Sequence, residues 1–288
     1  MLPPVRHRDV HANGVRLHVA EAGPPDGPLV LLLHGFPEDW TGWRHQIGPL
    51  AAAGLRVWAP DGRGYGLSEK PAGVAAYDLD RLADDAAGLV EAAGAERAHV
   101  VGHDWGAAVA WHLAATRPER VDRLAVLNVP HPAVMARFLR TRPAQMVRSW
   151  YIAFFQIPGL PDALLPRLAE RALRASSAPG AFSADALAHY RAAWRRPGAA
   201  TGMLNWYRAA ARRGVRRPFR PAPVEAPTLI LWGEDDVALD LRMAAASLEL
   251  CRRGRLVTFP GVSHWVQHEA AGAVTRHLLA HLGAPAGT

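Results

Sequence analysis

The residues most able to do chemistry lie in the stretch VVGHDWGAAVA, residues 100–110. A short apolar run leads into a Gly-x-Asp-x-Gly turn, and an alanine-rich segment typical of a helix follows. Sharp strand-to-helix turns of this kind usually present a serine nucleophile at the end of a strand. Here the residue at that position is Asp104. The sequence therefore predicts an enzyme whose nucleophile is a carboxylate instead of a hydroxyl.

An aspartate and a serine suit different reactions. Serine attack on an acyl carbonyl gives an ester that water can hydrolyse, but serine attack on a saturated carbon would leave an inert ether. Aspartate attack on a saturated carbon leaves an ester whose carbonyl belongs to the protein, and water can hydrolyse that ester. With an ordinary pKa of about 3.9, the carboxylate is ionised at neutral pH and needs no base. Asp104 therefore indicates substitution at a saturated carbon, followed by ester hydrolysis.

Three further motifs follow predicted strands and supply an acid and a histidine. They are LLLHGFPEDW (31–40), LWGEDDVAL (231–239) and FPGVSHWVQ (259–267). The chain order of nucleophile, acid and histidine is known for one hydrolase architecture. His264 is free to activate water for ester hydrolysis, and an acid beside it would orient the imidazole and stabilise its charged form. The pattern alone leaves Asp235, Asp236 and Asp240 open as that acid.

The elements that must position these residues alternate as in a parallel α/β sheet. Residues 29–35, LVLLLHG, form the continuous apolar run that is typical of a strand covered on both faces. Further strands are predicted over 15–21, 55–60, 98–102, 121–128, 228–233 and 255–259, and helices near 40–52, 77–93, 107–118 and 266–282. From about residue 131 the pattern becomes helical or irregular.

Charge separates the same two parts of the chain. Residues 131–220 contain 16 arginines and three acidic residues, whereas the remaining residues carry an acidic excess. The proline-rich segment RRPFRPAPVEAPT (216–228) predicts a linker. We therefore expect residues 1–130 and 221–288 to form one α/β core and residues 131–220 to form an inserted helical cap, or lid. Three hypotheses follow from the charge difference: ion pairs between cap and core that tune closure of the cap, a preference for anionic substrates, or a solvated arginine-rich surface with no further role.

Composition argues against several other classes of protein. The net charge of +7 comes from 32 arginines and one lysine, and no nucleic-acid-binding signature accompanies it, so no nucleic-acid partner is expected. No apolar run predicts a membrane span or a signal peptide. The single cysteine, Cys251, precludes an intramolecular disulfide and favours a cytoplasmic location. No metal-ligand cluster occurs, so neither a metal nor another cofactor is expected. The choice between monomer and homodimer stays open.

The ordered set of motifs resembles the soluble α/β-hydrolase-fold epoxide hydrolases, which use an aspartate nucleophile. The matching motifs are GHDWGA (102–107), HGFPEDW (34–40), DGRGYGLSEKP (61–71), LNVPHP (127–132), LWGEDD (231–236) and VSHW (262–265). The resemblance covers nearly the whole chain and implies an α/β-hydrolase fold, a mostly parallel sheet flanked by helices with an inserted helical cap. It selects Asp236 as the acid, and it implies the backbone N–H groups of Phe36 and Trp105 as oxyanion-hole donors.

The leaving group decides the substrate class. Opening an epoxide produces an alkoxide, which needs a proton donor, and a tyrosine with a pKa near 10 is protonated at neutral pH. The segments SWYIAFFQIPGLPD (149–162) and NWYRAA (205–210) resemble the two cap segments in which epoxide hydrolases carry ring-opening tyrosines. The match falls on Tyr151 and Tyr207, whereas Tyr190 has no such context. The resemblance thus implies hydrolysis of a small-molecule epoxide by water to a vicinal diol.

Two other functions stand as alternatives. A haloalkane or haloacid dehalogenase would use the same aspartate, but halide leaves without a proton and needs N–H donors. Haloalkane dehalogenases usually carry an asparagine where this chain has Phe36, and fluoroacetate-type enzymes carry an arginine where it has Trp105. Trp150 or Trp206 could still bind halide. The second alternative is a non-catalytic small-molecule-binding protein on this fold, although such proteins generally lose a catalytic residue.

Overall fold

One central sheet organises the protein. The structure is a computed structural model that describes residues 4–216 and 219–283. Its strands are β1 (Arg6–Ala12), β2 (Val15–Ala22), β3 (Leu29–Leu33), β4 (Arg56–Pro60), β5 (Ala98–His103), β6 (Val121–Leu127), β7 (Thr228–Gly233) and β8 (Gly254–Phe259). Their spatial order is β1-β2-β4-β3-β5-β6-β7-β8. The pairs β1–β2 and β2–β4 are antiparallel and the others are parallel. The predicted α/β-hydrolase fold is confirmed.

Helices cover the sheet and form one long insertion. Their bounds are α1 (Ile47–Ala52), α2 (Leu79–Ala92), α3 (Trp105–Thr116), α4 (Pro132–Thr141), α5 (Pro143–Arg148), α6 (Trp150–Phe154), α7 (Leu160–Ser176), α8 (Ala184–Trp194), α9 (Ala199–Arg216), α10 (Arg242–Leu248), α11 (Val266–Glu269) and α12 (Ala271–Leu282). Helices α4 to α9 lie between β6 and β7, and we call residues 132–216 the helical insertion. Within the described ranges, no helix combines the length and the apolar character needed to cross a membrane.

The apolar run of β3 is explained by its position inside the sheet. Leu31 packs in a hydrophobic cluster with residues of α2 and α3. Its neighbours Val30 and Leu32 point to the opposite face and pack with α1 and α12. Because successive side chains of a strand point to opposite faces, a strand covered on both sides needs apolar residues at every position. Each such side chain contributes roughly 1.5–3 kcal/mol through burial.

The edge strand β1 was not predicted from the sequence. Most of its side chains are exposed, so it lacks the apolar alternation that marks a strand. Its backbone pairs with β2 through a hairpin whose turn is Asn13–Gly14, and both residues have positive φ angles of 47° and 74°. Asn-Gly is the preferred sequence for such a two-residue turn. In this hairpin the sequence feature that indicates the structure is the Asn-Gly turn, not the side-chain pattern of β1.

Other predicted elements differ at their ends. The helix expected over 40–52 is a 3₁₀ turn, Trp40–Trp43, followed by α1. The terminal helix is interrupted at Ala270, whose φ of −116° and ψ of 35° are not helical. Part of the predicted linker, residues 217 and 218, lies outside the described residues. Within the remainder, the buried Val224 forms a β-bridge with Cys251.

Ion pairs join the basic insertion to the acidic core. Arg213 on α9 contacts Asp78 at 2.6 Å and Asp80 at 2.7 Å. His189 on α8 contacts Asp39 at 2.7 Å. The ion pairs of the first hypothesis drawn from the charge difference are therefore present.

The parallel strands place the functional loops together. Because β3, β5, β6, β7 and β8 run in the same direction, their carboxyl ends meet at one edge of the sheet, where α/β proteins bind ligands. The segments that follow these strands begin at residues 34, 104, 128, 234 and 260. The motifs singled out in the sequence are therefore neighbours in space.

Candidate active site

Asp104 occupies a strained turn between β5 and α3. Its φ of 49° and ψ of −123° lie outside the favoured regions, a conformation that costs on the order of 1–3 kcal/mol. The turn is tight enough that an added Cβ at Gly106 would collide with the carbonyl oxygen of Leu33. A Cβ at Gly102 would collide with the Gly106 carbonyl. The two glycines of the motif therefore let the chain raise Asp104 above the sheet.

The loop after β3 holds one oxygen of this carboxylate. The Phe36 N–H donates to Asp104 Oδ1 at 2.7 Å. An added Cβ at Gly35 would collide with the Asp104 side chain, so this close approach requires glycine. Trp105 is the first residue of α3, and N–H groups in a first helical turn have no intrahelical acceptor. The structure thus gives a bonded donor at Phe36, and Trp105 stays a predicted second donor.

His264 lies between two carboxylates. Its Nδ1 is 2.7 Å from Asp236 Oδ2, and its Nε2 is 3.5 Å from Asp104 Oδ2. The other two acids considered from the sequence do not share this position: Asp235 is exposed, and Asp240 accepts from Arg242 Nε at 2.9 Å. Of the three candidates, the structure brings Asp236 to the histidine.

Asn128 holds the Asp236 carboxylate in place, a role that was not predicted from the sequence. Its Nδ2 donates to Asp236 Oδ2 at 2.8 Å, and its Oδ1 accepts from the Gly233 N–H at 3.0 Å. The N–H groups of Ala238 and Leu239 donate to the other oxygen, Oδ1, at 2.8 and 2.9 Å. Asn128 directly follows β6 with a φ of 52°, a conformation that asparagine tolerates better than most residues. Asparagine at a strand end was the available signal.

Asp104 and His264 shift each other's pKa values, and Asp236 contributes to the shift at His264. Burial alone would lower the pKa of His264, but the charges and hydrogen bonds of Asp236 and Asp104 raise it to about 10. Burial would raise the pKa of Asp104, but His264, with smaller contributions from His103 and the Phe36 N–H, lowers it overall. At neutral pH the resting site therefore holds an Asp104 carboxylate beside a His264 imidazolium.

Tyr151 and Tyr207 line the same cavity as Asp104 and Trp105. The cavity has a volume of about 340 Å³. The two tyrosine rings approach edge to face, with centroids 6.0 Å apart. Burial, and then the negative charge of Asp104, raises the pKa of both phenols. Both phenols are therefore protonated at neutral pH and can donate a proton inside the cavity.

Tyr190 has a different environment. It is fully buried, and its hydroxyl donates to Glu38 Oε1 at 2.7 Å. Glu38 also accepts from His268 Nε2 at 2.7 Å and from Gln267 Nε2 at 3.1 Å. Burial would raise the pKa of Glu38, but His268 and His103 hold it well below its usual value. Tyr190 thus belongs to a buried structural cluster around Glu38. The sequence predicted a structural role for Tyr190 but did not predict the cluster.

Comparison with known proteins identifies the family of the chain. The α/β hydrolase fold family matches residues 28–271. Epoxide hydrolase A of Mycobacterium tuberculosis (strain ATCC 25618 / H37Rv) is 37% identical over an alignment of 315 positions, gaps included, that covers 96% of each chain. The chain belongs to the epoxide hydrolase family of the α/β-hydrolase fold. Within the wider superfamily, the AB hydrolase superfamily protein YfhM of Bacillus subtilis (strain 168) is 44% identical over 282 residues, or 96% of this chain and 98% of that protein.

A solved structure of the epoxide hydrolase family superimposes over almost the whole chain. Epoxide Hydrolase A from Mycobacterium thermoresistibile is 36% identical, covers 97% of this chain with 98% of its own, and gives a TM-score of 0.86. Like the relatives that carry the family name, this chain is a hydrolase. In the described ranges 4–216 and 219–283, no group of three or more His, Cys, Asp and Glu is arranged to hold a metal ion.

Proposed function

We propose that this epoxide hydrolase family member converts epoxides to vicinal diols, with Asp104 as the nucleophile. The proposal rests on the different environments of the two oxygens of the Asp104 carboxylate. Oδ1 accepts from the Phe36 N–H at 2.7 Å, whereas Oδ2 faces His264 Nε2 at 3.5 Å. Tyr151 and Tyr207 line the cavity into which this carboxylate opens.

The first half-reaction opens the ring. Asp104 Oδ2 attacks a ring carbon, forming the ester C–O bond while the ring C–O bond breaks and its electron pair passes to the epoxide oxygen. Tyr151 or Tyr207 gives that oxygen a proton. Asp104 Oδ1 becomes the ester carbonyl oxygen and keeps the hydrogen bond from Phe36. The first step thus needs an anionic Asp104 and a neutral phenol, which are the states favoured by the pKa shifts.

Formation of the ester prepares His264 for the second half-reaction. The ester removes the Asp104 charge, which is one of the causes that raise the His264 pKa. The pKa then falls, so the imidazolium releases its proton, which restores the tyrosinate to tyrosine. The neutral imidazole can now accept a proton from water as that water attacks the ester carbonyl carbon of Asp104. Asp236 stabilises the imidazolium that forms.

The tetrahedral intermediate then returns the site to its resting state. Negative charge develops on Oδ1, where the Phe36 N–H already points and the Trp105 N–H is the proposed second donor. One such donor is worth about 2.7–4 kcal/mol. Collapse breaks the bond to the diol oxygen, which takes the proton of the new carboxylic acid. Asp104 is again a carboxylate beside an imidazolium, and the net reaction is epoxide plus water to diol.

The core and the helical insertion supply different parts of this reaction. Asp104, Asp236 and His264 come from the α/β core, whereas Tyr151 lies on α6 and Tyr207 on α9. In our proposal, residues 131–220 therefore act as a cap that brings the proton donors to the nucleophile and limits its access to bulk water.

The tryptophan environments favour this reaction over halide release. Trp206 is not free to bind halide, since its Nε1 donates to the Arg63 carbonyl at 2.9 Å. Trp150 is 66% exposed and is absent from the cavity wall. Trp105 does line the cavity, but a halide site needs more than one N–H donor. Two neutral phenols suit an alkoxide leaving group better than a halide.

The decisive experiment traps the ester. His264→Gln should stall hydrolysis, and the intact mass is measured after incubation with matched alkyl epoxides and haloalkanes. We expect addition of the whole epoxide mass, with the adduct mapping to Asp104, and no adduct in the Asp104→Asn/His264→Gln double variant. An alkyl adduct from the haloalkanes with none from the epoxides would identify a dehalogenase. Binding of epoxides without any adduct or turnover would indicate a binding protein.

A further inference from the structure

The helical insertion exposes an apolar surface where α5 meets α6. Three large side chains form it, and we call them the α5–α6 patch: Met146 is 54% exposed, Val147 72% and Trp150 66%. Of the nine large hydrophobic side chains exposed in residues 4–216 and 219–283, five lie between residues 146 and 160, so the exposure is concentrated in one segment. Single exposed apolar side chains are common, whereas a contiguous group usually marks a binding surface.

Hydrogen bonds on the opposite side of α5 hold the α5–α6 patch outward. Gln145 and Ser149 are buried, and Gln145 Nε2 donates to the Ser149 hydroxyl at 2.9 Å and to the Ala238 carbonyl at 2.8 Å. Met146 and Val147 therefore point away from the core, and Trp150 follows Met146 at the spacing that makes two helical residues neighbours. The three patch residues thus form one contiguous outward surface.

Positive charge accompanies the α5–α6 patch. Residues 137–160 contain no acidic residue and four exposed arginines, namely Arg137, Arg140, Arg142 and Arg148. The guanidinium carbons of Arg137 and Arg142 lie 5.7 and 5.8 Å from the centre of the Phe138 ring. Contact with the same ring holds these two cations near one another. The segment therefore combines an exposed tryptophan with a pair of positioned guanidinium groups.

The charge of this surface favours an anionic partner over a second copy of the chain. A symmetric contact would place the arginines of one copy against those of the other, and like charges facing each other in an interface are costly. The loop after β7, which contacts Gln145, adds two exposed acids, Glu234 and Asp235, so the four arginines remain in excess. An anionic bilayer satisfies both parts of the surface, since headgroup phosphates bind guanidinium groups while tryptophan and aliphatic side chains enter the boundary with the acyl chains.

We propose that the helical insertion docks on the surface of an anionic lipid bilayer. Met146, Val147 and Trp150 enter the interface, and Arg137 and Arg142 bind lipid phosphates. The contact lies on the membrane surface and does not span the membrane. It uses none of the residues assigned to the reaction, so it does not depend on the proposed function.

Vesicle sedimentation with the full chain tests the charged part of the contact. The vesicles are either pure phosphatidylcholine or equimolar phosphatidylcholine and phosphatidylglycerol. We expect the protein to sediment with the anionic vesicles, to ignore the neutral ones, and to dissociate as the salt concentration rises. Arg137→Gln and Arg142→Gln should each lower the partition coefficient by about fivefold, the effect of one cation near an anionic surface.

Arg6→Gln is the matched control for charge. Arg6 is exposed on β1, the edge strand at the far end of the sheet from β6 and β7, whose carboxyl ends lead into the insertion and the loop beside it. The variant loses the same single positive charge. We expect its partition coefficient to equal that of the wild type.

Substitution of Trp150 tests the apolar part of the contact. Trp150→Ser should lower the partition coefficient by about tenfold, as expected for loss of one buried large side chain, whereas Trp150→Phe should keep most of the binding. Lipids with brominated acyl chains quench the fluorescence of a tryptophan that contacts them. That quenching should be strong in the wild type and largely lost in Trp150→Phe while the protein stays bound. Because Trp150 is exposed, both variants should unfold thermally at the wild-type temperature when lipid is absent.

Three results would overturn the inference. They are no sedimentation with the anionic vesicles, an equal loss in Arg6→Gln and Arg137→Gln, and sedimentation that Trp150→Ser leaves unchanged. Analytical ultracentrifugation without lipid tests the competing occupant, since a dimer that Trp150→Ser dissociates would assign the patch to a second copy instead. None of these measurements uses epoxide turnover, so their failure would leave the proposed function standing.

Discussion

Asn128 and His264 bind the same oxygen of Asp236. Asn128 Nδ2 donates to Oδ2 at 2.8 Å, and His264 Nδ1 lies 2.7 Å from it. The carboxylate that orients the histidine is therefore itself oriented from the neighbouring strand end. Asn128 contacts Asp236 and not Asp104. It therefore acts through Asp236 and His264, as a positioning residue.

Replacement of Asn128 should slow ester hydrolysis selectively. Asn128→Gly keeps the positive φ without strain but removes a hydrogen bond to a charged acceptor, which is worth about 1.5–3 kcal/mol. Since Asp236 keeps two backbone donors, we expect about a tenfold slower second half-reaction and accumulation of the Asp104 ester, with ring opening little changed. Single-turnover kinetics with intact mass measures both steps. Asn13→Gly, also at a positive φ but in the β1–β2 turn, should leave both rates unchanged; equal effects in the two variants would contradict this role.

The charge on Asp104 should control the protonation of His264. Asp104 is one of the groups that raise the His264 pKa to about 10. Asp104→Asn removes a negative charge that favours the imidazolium, so the pKa should fall. Titration of the imidazole by NMR in both proteins measures the difference; an unchanged pKa would remove the basis for ester-triggered deprotonation.

The same coupling sets the direction of the pH dependence. The rate of ester hydrolysis should rise with pH as the imidazole of the ester form loses its proton, with a midpoint below 10. The folded-state pKa of His264 is raised, so its stabilising contribution is fully present below the ordinary pKa of about 6.5. That contribution is lost as the pH rises through about 10. Thermal unfolding of the wild type from pH 6 to 10 checks this direction.

Removal of the two cavity phenols should stop ring opening. Tyr151→Phe or Tyr207→Phe should each slow formation of the Asp104 ester by about tenfold or more, and the double variant by roughly 10²–10⁴-fold, the range of general-acid catalysis. Stopped-flow tryptophan fluorescence or quenched mass measurements follow ester formation. Tyr190→Phe is the control: it loses its buried bond to Glu38, so the free energy of unfolding should fall by about 1.5–3 kcal/mol while ester formation persists. Ring opening that survives in the double cavity variant would rule out these donors.

The steric requirement of the nucleophile turn can be tested by stability. Gly106→Ala would place a Cβ against the Leu33 carbonyl oxygen, and overpacking of this kind costs typically 1–3 kcal/mol or more. Gly272→Ala, in the second position of α12 with only the tip of Arg276 near, should be neutral or stabilising by up to about 1 kcal/mol. Chemical denaturation of both variants supplies the comparison. A Gly106→Ala protein as stable as the wild type would show that β3 and α3 can separate without penalty.

Local features of the fold were predictable because neighbouring residues carry them. The apolar run of β3 indicates burial on both faces, and the two glycines around Asp104 indicate a tight turn. Each pattern lies within a few consecutive residues. The order of the motifs was likewise visible. The exposed edge strand β1 was not, since its pairing uses the backbone and leaves no pattern in its side chains.

Tertiary structure decided which distant side chains meet. Adjacent Asp235 and Asp236 look equivalent in the pattern, yet only one faces His264, because the turn after β7 buries one carboxylate and exposes the other. An asparagine at a strand end does not say which side chain it will hold; only the packing of β6 beside β7 places the Asn128 amide on Asp236. Residue types and local steric demands are written in the sequence, whereas distances between separate segments follow only from how the sheet and the helical insertion pack.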